Sequence, residues 1–93
     1  MAKRIDSNQP EIVAALRSVG ASVECLHDLG KGVPDLLVGF RGCNYLLEVK
    51  DGNKSPSRRQ LTDDQKDWRL SWRGNVKTVE TVDHALFAIG ATR

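Results

Sequence analysis

The segment VPDLLVGFRGCNYLLEVK, residues 33–50, constrains the fold of this 93-residue chain more than any other part of the sequence. Its two apolar runs meet at a glycine-containing turn, which is the pattern of a β-hairpin. The same segment carries Asp35, Glu48 and Lys50. Charged side chains are costly to bury unless they are paired or bind a metal. A fold that buries this hairpin must therefore provide partners or ligands for all three groups.

The length of the chain predicts one domain, spanning residues 1–93. A domain of this size buries about 60–65% of the surface that its unfolded chain exposes, so we expect a site on a rim or in a groove and not in a large cavity. Cys25 and Cys43 are too far apart for a zinc knuckle, and no Cys or His pair has CxxC or HxxxH spacing. This favours reduced thiols in an intracellular protein, with one cysteine in a buried strand and the other at a turn.

The N-terminal segment and the hydropathy pattern predict a soluble, cytoplasmic domain with no membrane partner. The N-terminal MAKRIDSNQP is basic but lacks the apolar core of a signal peptide. No run approaches the roughly 18 apolar residues of a membrane span.

The charge distribution indicates nucleic acid more strongly than the total charge does. The net charge is +2, which is only mildly basic. The cations are clustered, however, in a polar loop at 51–61 and in the segment that follows it. We expect contacts to a phosphate backbone from Lys54, Ser55, Arg58, Arg59, Lys66 and Arg69.

Hydrophobic periodicity and cap signals predict the order α-β-β-β-α-β-α. The apolar hairpin strands are expected to be central strands covered on both faces. The predicted elements, in chain order, are a helix at 7–19 capped by Ser7 or Asn8, a strand at 21–29, hairpin strands at 35–40 and 44–50, a helix at 63–73, a strand at 76–80 and a short helix at 82–89.

The helix at 63–73 begins with a capping box between Thr62 and Gln65. Gln65, Trp68 and Trp72 share one stripe of this helix, so Gln65 is expected to point at the sheet. The two tryptophans are expected to be core anchors in preference to base-stacking platforms.

A tight hairpin about Gly42 brings the three ionisable groups together. If residues whose numbers sum to about 85 pair, Asp35 lies opposite Lys50 and diagonal to Glu48, while Glu48 and Lys50 face the same side. Two carboxylates and one ammonium on one face suit a hard divalent cation such as Mg²⁺, which binds one or two carboxylates plus substrate phosphate. The combination predicts phosphodiester hydrolysis.

The triplet has a simpler interpretation, a cross-strand ion pair between Asp35 and Lys50 worth about 0.2–1 kcal/mol. Three features favour an active site: the acids lie on strands that are apolar on both faces, a basic loop follows directly, and Gln65 points inward. Glu11 either complements the dipole of the first helix or belongs to the site.

The motif residues resemble a known nuclease family. Pro34-Asp35 followed by Glu48-Val49-Lys50 is similar to the motif of the PD-(D/E)XK nuclease superfamily. The run KDGNKSPSRRQLTDDQ, residues 50–65, is more specific and resembles the VRR-NUC (virus-type replication-repair nuclease) family in its minimal stand-alone form, as found in phages and bacteria. The resemblance covers the chain from Glu11 to about Val79. It implies an α/β, restriction-endonuclease-like core in which helices flank a central mixed sheet.

The resemblance also implies roles. Asp35 and Glu48 would ligate Mg²⁺ or Mn²⁺, the Val49 carbonyl would supply another oxygen, and Lys50 would act on the attacking water. Glu11 would bind the metal directly or through water, and Gln65 would support the site or contact the phosphate.

The activity implied is structure-selective cleavage of DNA, by analogy with small members similar to Holliday-junction resolvases that act as homodimers. Two-fold symmetry would supply two matching sites for a symmetric junction. Two other interpretations remain open: a DNA-binding module that keeps the fold without catalysis, and a small structural domain with a surface ion pair.

Overall fold

The computed structural model describes residues 5–91 of the chain. The order of its elements confirms the predicted α-β-β-β-α-β-α arrangement. Within these residues no helix is long and apolar enough to cross a lipid bilayer. The elements are α1 (Gln9–Ser18), β1 (Ser22–Cys25), β2 (Leu36–Phe40), β3 (Cys43–Val49), α2 (Asp63–Ser71), β4 (Lys77–Val79) and α3 (Val82–Ala88), with single 3₁₀ turns at His27–Leu29 and Pro56–Arg59.

The four strands form one mixed sheet in the order β1-β2-β3-β4. β1 pairs with β2 and β2 with β3 in antiparallel fashion, whereas β3 and β4 are parallel. A parallel pair needs a crossover connection, and α2 lies within it. The C-terminal end of β3 is therefore the point where the hairpin, the crossover and the last strand meet.

One face of the sheet carries the hydrophobic core. Strand alternation turns Leu36, Val38, Leu47 and Val49 to this face, and all four are fully buried. The apolar sides of α1 and α3 pack against them and against each other. The core therefore fixes which side chains of β2 and β3 point the other way, toward α2.

The opposite face is only partly covered, so the prediction of strands buried on both sides was wrong. Leu37 on this face is 38% exposed. The expectation that the tryptophans anchor the core was also wrong, because Trp72 is 47% exposed and Trp68 is half-buried. Their rings stack on each other instead, with centroids 4.6 Å apart. The physical reason is that α2 ends at Ser71, too early to cover the far half of the sheet.

The hairpin turn is one residue shorter than predicted, which changes the register. Arg41 and Gly42 alone form the turn, with φ values of 51° and 80°, as a two-residue type I′ turn requires. Cys43 pairs with Phe40 as part of the ladder, so paired numbers sum to 83. Asp35 is consequently level with Glu48 and not with Lys50, although Glu48 and Lys50 keep the same face.

The first strand is also shorter than predicted. β1 ends at Cys25, and His27–Leu29 forms a 3₁₀ turn in place of the second half of the expected strand. The Leu26 N–H still donates to the Asp35 carbonyl at 2.7 Å, in the same register as the β1–β2 ladder, and the chain turns into the 3₁₀ segment directly after this bond. Cys25 and Cys43 are both free thiols and both exposed, so neither is the buried strand cysteine that was expected.

Candidate active site

Asp35, Glu48 and Lys50 meet where β2 begins and β3 ends. Asp35 immediately precedes β2, Glu48 is the second-last residue of β3 and Lys50 follows it. Their exposed fractions are 2%, 3% and 7%, so all three charged groups are buried. Burial of this degree is costly for charges without compensation, and it excludes the interpretation as a surface ion pair.

Asp35 is held across the hairpin by the backbone of the other strand. Its Oδ2 accepts a hydrogen bond from the Val49 N–H at 2.7 Å. A charge-assisted bond of this length is roughly twice as strong as a neutral one. The carboxyl group is thereby fixed beside the peptide that links Glu48 to Lys50.

Gln65 joins the other two groups. Its Oε1 accepts from Lys50 Nζ at 2.9 Å, and its Nε2 donates to Glu48 Oε2 at 3.0 Å. The direct approach of Lys50 Nζ to Glu48 Oε2 is longer, at 3.9 Å. Gln65 therefore bridges the pair, as its predicted inward orientation allows.

The capping box of α2 determines how the Gln65 amide is oriented. The Thr62 N–H donates to Gln65 Oε1 at 2.9 Å, and the Gln65 N–H donates to Thr62 Oγ1 at 3.2 Å. This confirms the predicted capping box. Because Oε1 already faces two donors, the amide nitrogen has to face Glu48. The start of the helix and the site thus share one side chain.

A glycine lets the β1–β2 connection support the start of α2. Gly32 has a φ of 82°, a conformation that residues with a Cβ rarely adopt. A Cβ at this position would overlap the backbone carbonyl of Asp64. The close backbone contact fixes the first turn of α2, on which Gln65 lies.

The N-terminal segment is tied to the other side of the same strand end. A side-chain cap of α1 by Ser7 or Asn8 was predicted, but Asn8 at the N-cap makes no side-chain hydrogen bond to the helix. Its Nδ2 donates instead to the carbonyls of Lys50 and Glu80, each at 3.0 Å. Ser7 Oγ donates to Asp51 Oδ2 at 3.0 Å. These bonds bring the segment before α1 to the site.

Asp6 is an acid near the site that the sequence interpretation missed. Burial raises the pKa of its carboxyl above the ordinary value of 3.8, and the charges of Asp35 and Asp51 act in the same direction, while Lys50 opposes them. Nothing in the local pattern identifies Asp6, because its position depends on the long-range bonds of Ser7 and Asn8.

Asp51 was also missed, although its sequence carried a signal. The aspartate is 8% exposed, and its Oδ1 accepts from the Asn53 N–H at 2.9 Å. This bond and the one from Ser7 lower the pKa of Asp51 below 3.8. An Asp two residues before the N–H that it binds is an Asx-turn, which the run Asp-Gly-Asn after Lys50 is well suited to form.

Glu11 lies in the first turn of α1. It is exposed and lines a groove of about 380 Å³ with Asn8, Asp51 and Glu80 among its neighbours. In residues 5–91 no group of three or more His, Cys, Asp and Glu side chains is arranged to hold a metal ion. The structure therefore does not bring Glu11 together with Asp35 and Glu48, and its metal-binding role stays a prediction.

Two of the predicted DNA-contacting residues are tethered to the end of β4, and the others are exposed. Arg59 donates to Glu80 Oε1 at 3.1 Å and so ties the loop to the end of β4. Arg69 donates to Thr78 Oγ1 at 2.6 Å. The exposed members of the set are Lys54, Ser55, Arg58 and Lys66.

The donor set fits a hard divalent cation. Asp35 and Glu48 are level with each other across the hairpin, and the Val49 carbonyl belongs to the peptide between Glu48 and Lys50. Carboxylate and carbonyl oxygens are the ligands that Mg²⁺ and Mn²⁺ prefer, and one or two carboxylates with substrate phosphate suffice for Mg²⁺.

A mixed four-stranded sheet flanked by helices, with buried acidic groups and a lysine where the hairpin strands end at α2, defines a restriction-endonuclease-like domain. A solved structure described as a VRR_NUC domain is similar to this chain, with a TM-score of 0.54 and 25% identity over 89% of this chain and 97% of that one. The sequence matches no family model and no curated protein. This similarity supports membership of the VRR-NUC family of nuclease domains.

Proposed function

We propose that this protein is a Mg²⁺- or Mn²⁺-dependent DNA endonuclease. The observation that carries the proposal is the buried group of Asp35, Glu48 and Lys50, linked through Gln65. Buried charges of this kind are rare unless they are paired or coordinate a metal. The similarity to a VRR_NUC domain supports a nuclease over other metal-dependent activities.

Asp35, Glu48 and the Val49 carbonyl would hold the metal ion, which supplies Lewis-acid stabilisation of the scissile phosphate when bound. The bond from the Val49 N–H to Asp35 orients that carboxylate. Lys50 donates one N–H to Gln65, and an ammonium group has three. Lys50 therefore keeps donors with which to orient the attacking water or to stabilise a phosphate oxygen.

The exposed cations support a path for the DNA backbone beside this group. Lys54 lies in the loop that begins directly after Lys50, and Arg58 lies on its 3₁₀ turn. Contacts to phosphate fix register and orientation but carry no sequence information. We therefore expect binding that depends on DNA shape and salt, not on base sequence.

The proposal extends to branched DNA, including four-way junctions, cut by a homodimer. A two-fold dimer would present two matching active sites, which paired cuts in a symmetric junction need. Small stand-alone members that the sequence resembles act in this way, and this analogy is the support for the extension.

A second candidate is a DNA-binding module on the same fold without catalysis. The observation in its favour is that the side chains of residues 5–91 form no ready three-ligand metal cluster. It predicts the same salt-dependent binding but no cleavage.

Incubation with a panel of labelled DNA structures, with and without Mg²⁺, tests these candidates. The panel should include a four-way junction, a flap, a gapped duplex and an intact duplex. An endonuclease gives Mg²⁺-dependent cuts, most rapidly in the branched structures. Binding without cuts in any structure would favour the non-catalytic module, and cuts of equal rate throughout would refute the selectivity for branches.

A further inference from the structure

An apolar groove lies on the uncovered half of the sheet, on the same face as Glu48 and Lys50. Its volume is about 390 Å³, within the usual range of ~300–1,000 Å³ for ligand pockets. Leu37 and Leu46, which pair across the hairpin, form its floor, and Trp72 forms one wall. A second hollow shares Asn44, Leu46 and other residues with it, so the two are continuous.

Trp72 is held in a fixed orientation in this wall. One face of its ring stacks on Trp68 at an angle of 19°. Its edge meets Gly74, where an added Cβ would stand 2.9 Å from the indole Nε1. The side chain is nevertheless 47% exposed. An aromatic surface that is exposed and already immobilised loses little conformational entropy when a flat partner stacks on it.

The rim of the groove is polar and basic. Asn44 and Asn75 contribute side-chain amides, each able to donate and accept hydrogen bonds, and Lys77 lines the far end. Arg73 follows Trp72 and is exposed. None of the described residues that line either hollow is acidic. The one charged residue among those lining the two hollows is the cation Lys77, which favours an anionic ligand, although the exposed Glu24 pairs with Leu37 at the edge.

The groove is within reach of a DNA strand that occupies the active site. Leu46 precedes Glu48 by two residues on the same face, about 7 Å along the strand, and Asn44 by four, about 14 Å. Successive phosphates of one DNA strand are about 3.4 Å apart along a duplex axis. A nucleotide two to four positions from the cut would therefore lie over the groove.

We propose that this groove binds an unpaired nucleobase of the DNA that the active site cuts, with the base stacked on Trp72. This deepens the proposed nuclease function and rests on it. A paired base is stacked within its duplex and has no free face, so the groove selects DNA that offers an unstacked nucleotide near the cut. The preferred substrates are gaps, flaps and junctions with unpaired bases, ahead of fully paired DNA.

Binding in Ca²⁺ without Mg²⁺ tests the groove separately from cleavage. The chain has two tryptophans, and both belong to the stack, so intrinsic fluorescence reports on this site alone. We expect a gapped duplex to quench the fluorescence more than an intact duplex of equal length. W72A should weaken binding of the gapped duplex by about tenfold to a hundredfold and leave the intact duplex unchanged.

L70A is the matched control, because Leu70 is a nearby apolar residue on α2, is 84% exposed and does not line the groove. It should change neither affinity, whereas W72F should restore most of the lost binding. Circular dichroism of each variant confirms that it is folded.

Three results would overturn the proposal: no effect of W72A, an equal loss for gapped and intact DNA, or a lower sedimentation mass of W72A with unchanged binding per protomer. The last would show that a second copy covers the groove. If the protein binds gapped DNA selectively through Trp72 but makes no Mg²⁺-dependent cuts, the proposed nuclease function is refuted and the proposed base-binding groove is not.

Discussion

Gln65 contributes both to the start of α2 and to the candidate active site. It completes the capping box of α2 and bridges Glu48 and Lys50 with the same side-chain amide. Groups that orient metal ligands are as important for function as the ligands themselves. We therefore propose that Gln65 is a positioning residue, whose loss should be visible in activity beyond its effect on stability.

Replacement of Gln65 by Ala should lower the rate of Mg²⁺-dependent cleavage by about tenfold to a hundredfold. Lys50 and Glu48 would both lose a hydrogen-bond partner that fixes their orientation. The measurement is single-turnover cleavage over a Mg²⁺ titration, in which the half-saturating Mg²⁺ concentration should rise.

T62A is the control for the stability effect. It removes the hydroxyl that accepts from the Gln65 N–H, at a cost of about 0.5–2 kcal/mol, but keeps the Thr62 N–H that donates to Gln65 Oε1. Its cleavage should stay near that of the wild type. If Q65A cleaves no more slowly than T62A, Gln65 does not position the site.

Asp6 gives the stability of the fold a predictable pH dependence. Its pKa in the folded state is raised above 3.8, chiefly by burial, so ionisation of Asp6 destabilises the fold at neutral pH. This cost disappears as the pH falls through the raised pKa toward 3.8. D6N should therefore melt at a higher temperature than the wild type at neutral pH, and the difference should vanish below pH 3.8.

D67N is the control for D6N, because Asp67 is an exposed acid of α2. It should leave the melting temperature nearly unchanged at neutral pH. A D6N protein that is less stable than the wild type at neutral pH would show that attraction to Lys50 outweighs burial.

At the level of elements, the hairpin shows why the meeting of Asp35, Glu48 and Lys50 was predictable although the register of the hairpin was not. The turn consists of Arg41 and Gly42 alone, and the paired numbers sum to 83 where about 85 was expected. A shift of two residues keeps every side chain on its face, whereas a shift of one would have reversed them all. Asp35, Glu48 and Lys50 were therefore expected to come together, and they do.

The tryptophans show the limit of periodicity. Their stripe correctly placed Gln65 against the sheet, but the same stripe predicted buried rings for Trp68 and Trp72. Periodicity gives the direction of a side chain and not the extent of the surface that it meets. Here α2 ends at Ser71, and part of the sheet beneath the second tryptophan stays open.

The two arginines of the basic loop differ in their contacts. Arg59 is committed to Glu80, whereas Arg58 is exposed. R58A should therefore weaken DNA binding across sequences and reduce the slope of log affinity against log salt by about 0.9. Titrations of labelled DNA at several salt concentrations measure both effects.

R17A is the charge-matched variant for R58A, since Arg17 is an exposed cation of α1; it also donates to the Val23 carbonyl at 2.9 Å, so circular dichroism has to confirm that R17A is folded. It should leave the salt slope unchanged. If R58A and R17A behave alike, the loop does not contact the phosphate backbone and only total charge matters.

In the whole molecule, the hydrophobic core and the candidate site lie on opposite faces of one sheet. α1 and α3 cover the face that holds the core, and the other face carries the buried ionisable groups at one end and the open groove at the other. The element order was predictable because each element has its own periodicity and caps. The positions of Asp6, Asp51 and Glu11 were not, since they follow from contacts between segments distant in sequence.

Cleavage by D35N and K50A variants is the most direct test of whether Asp35 and Lys50 belong to the active site. Asn at position 35 keeps a side-chain oxygen for the Val49 N–H, so the hairpin should be preserved while the anionic ligand is lost. Both variants should bind DNA in Ca²⁺ as the wild type does, yet lose Mg²⁺-dependent cleavage by at least about a hundredfold. Cleavage at the wild-type rate by both variants would contradict the assignment of this site as the active site.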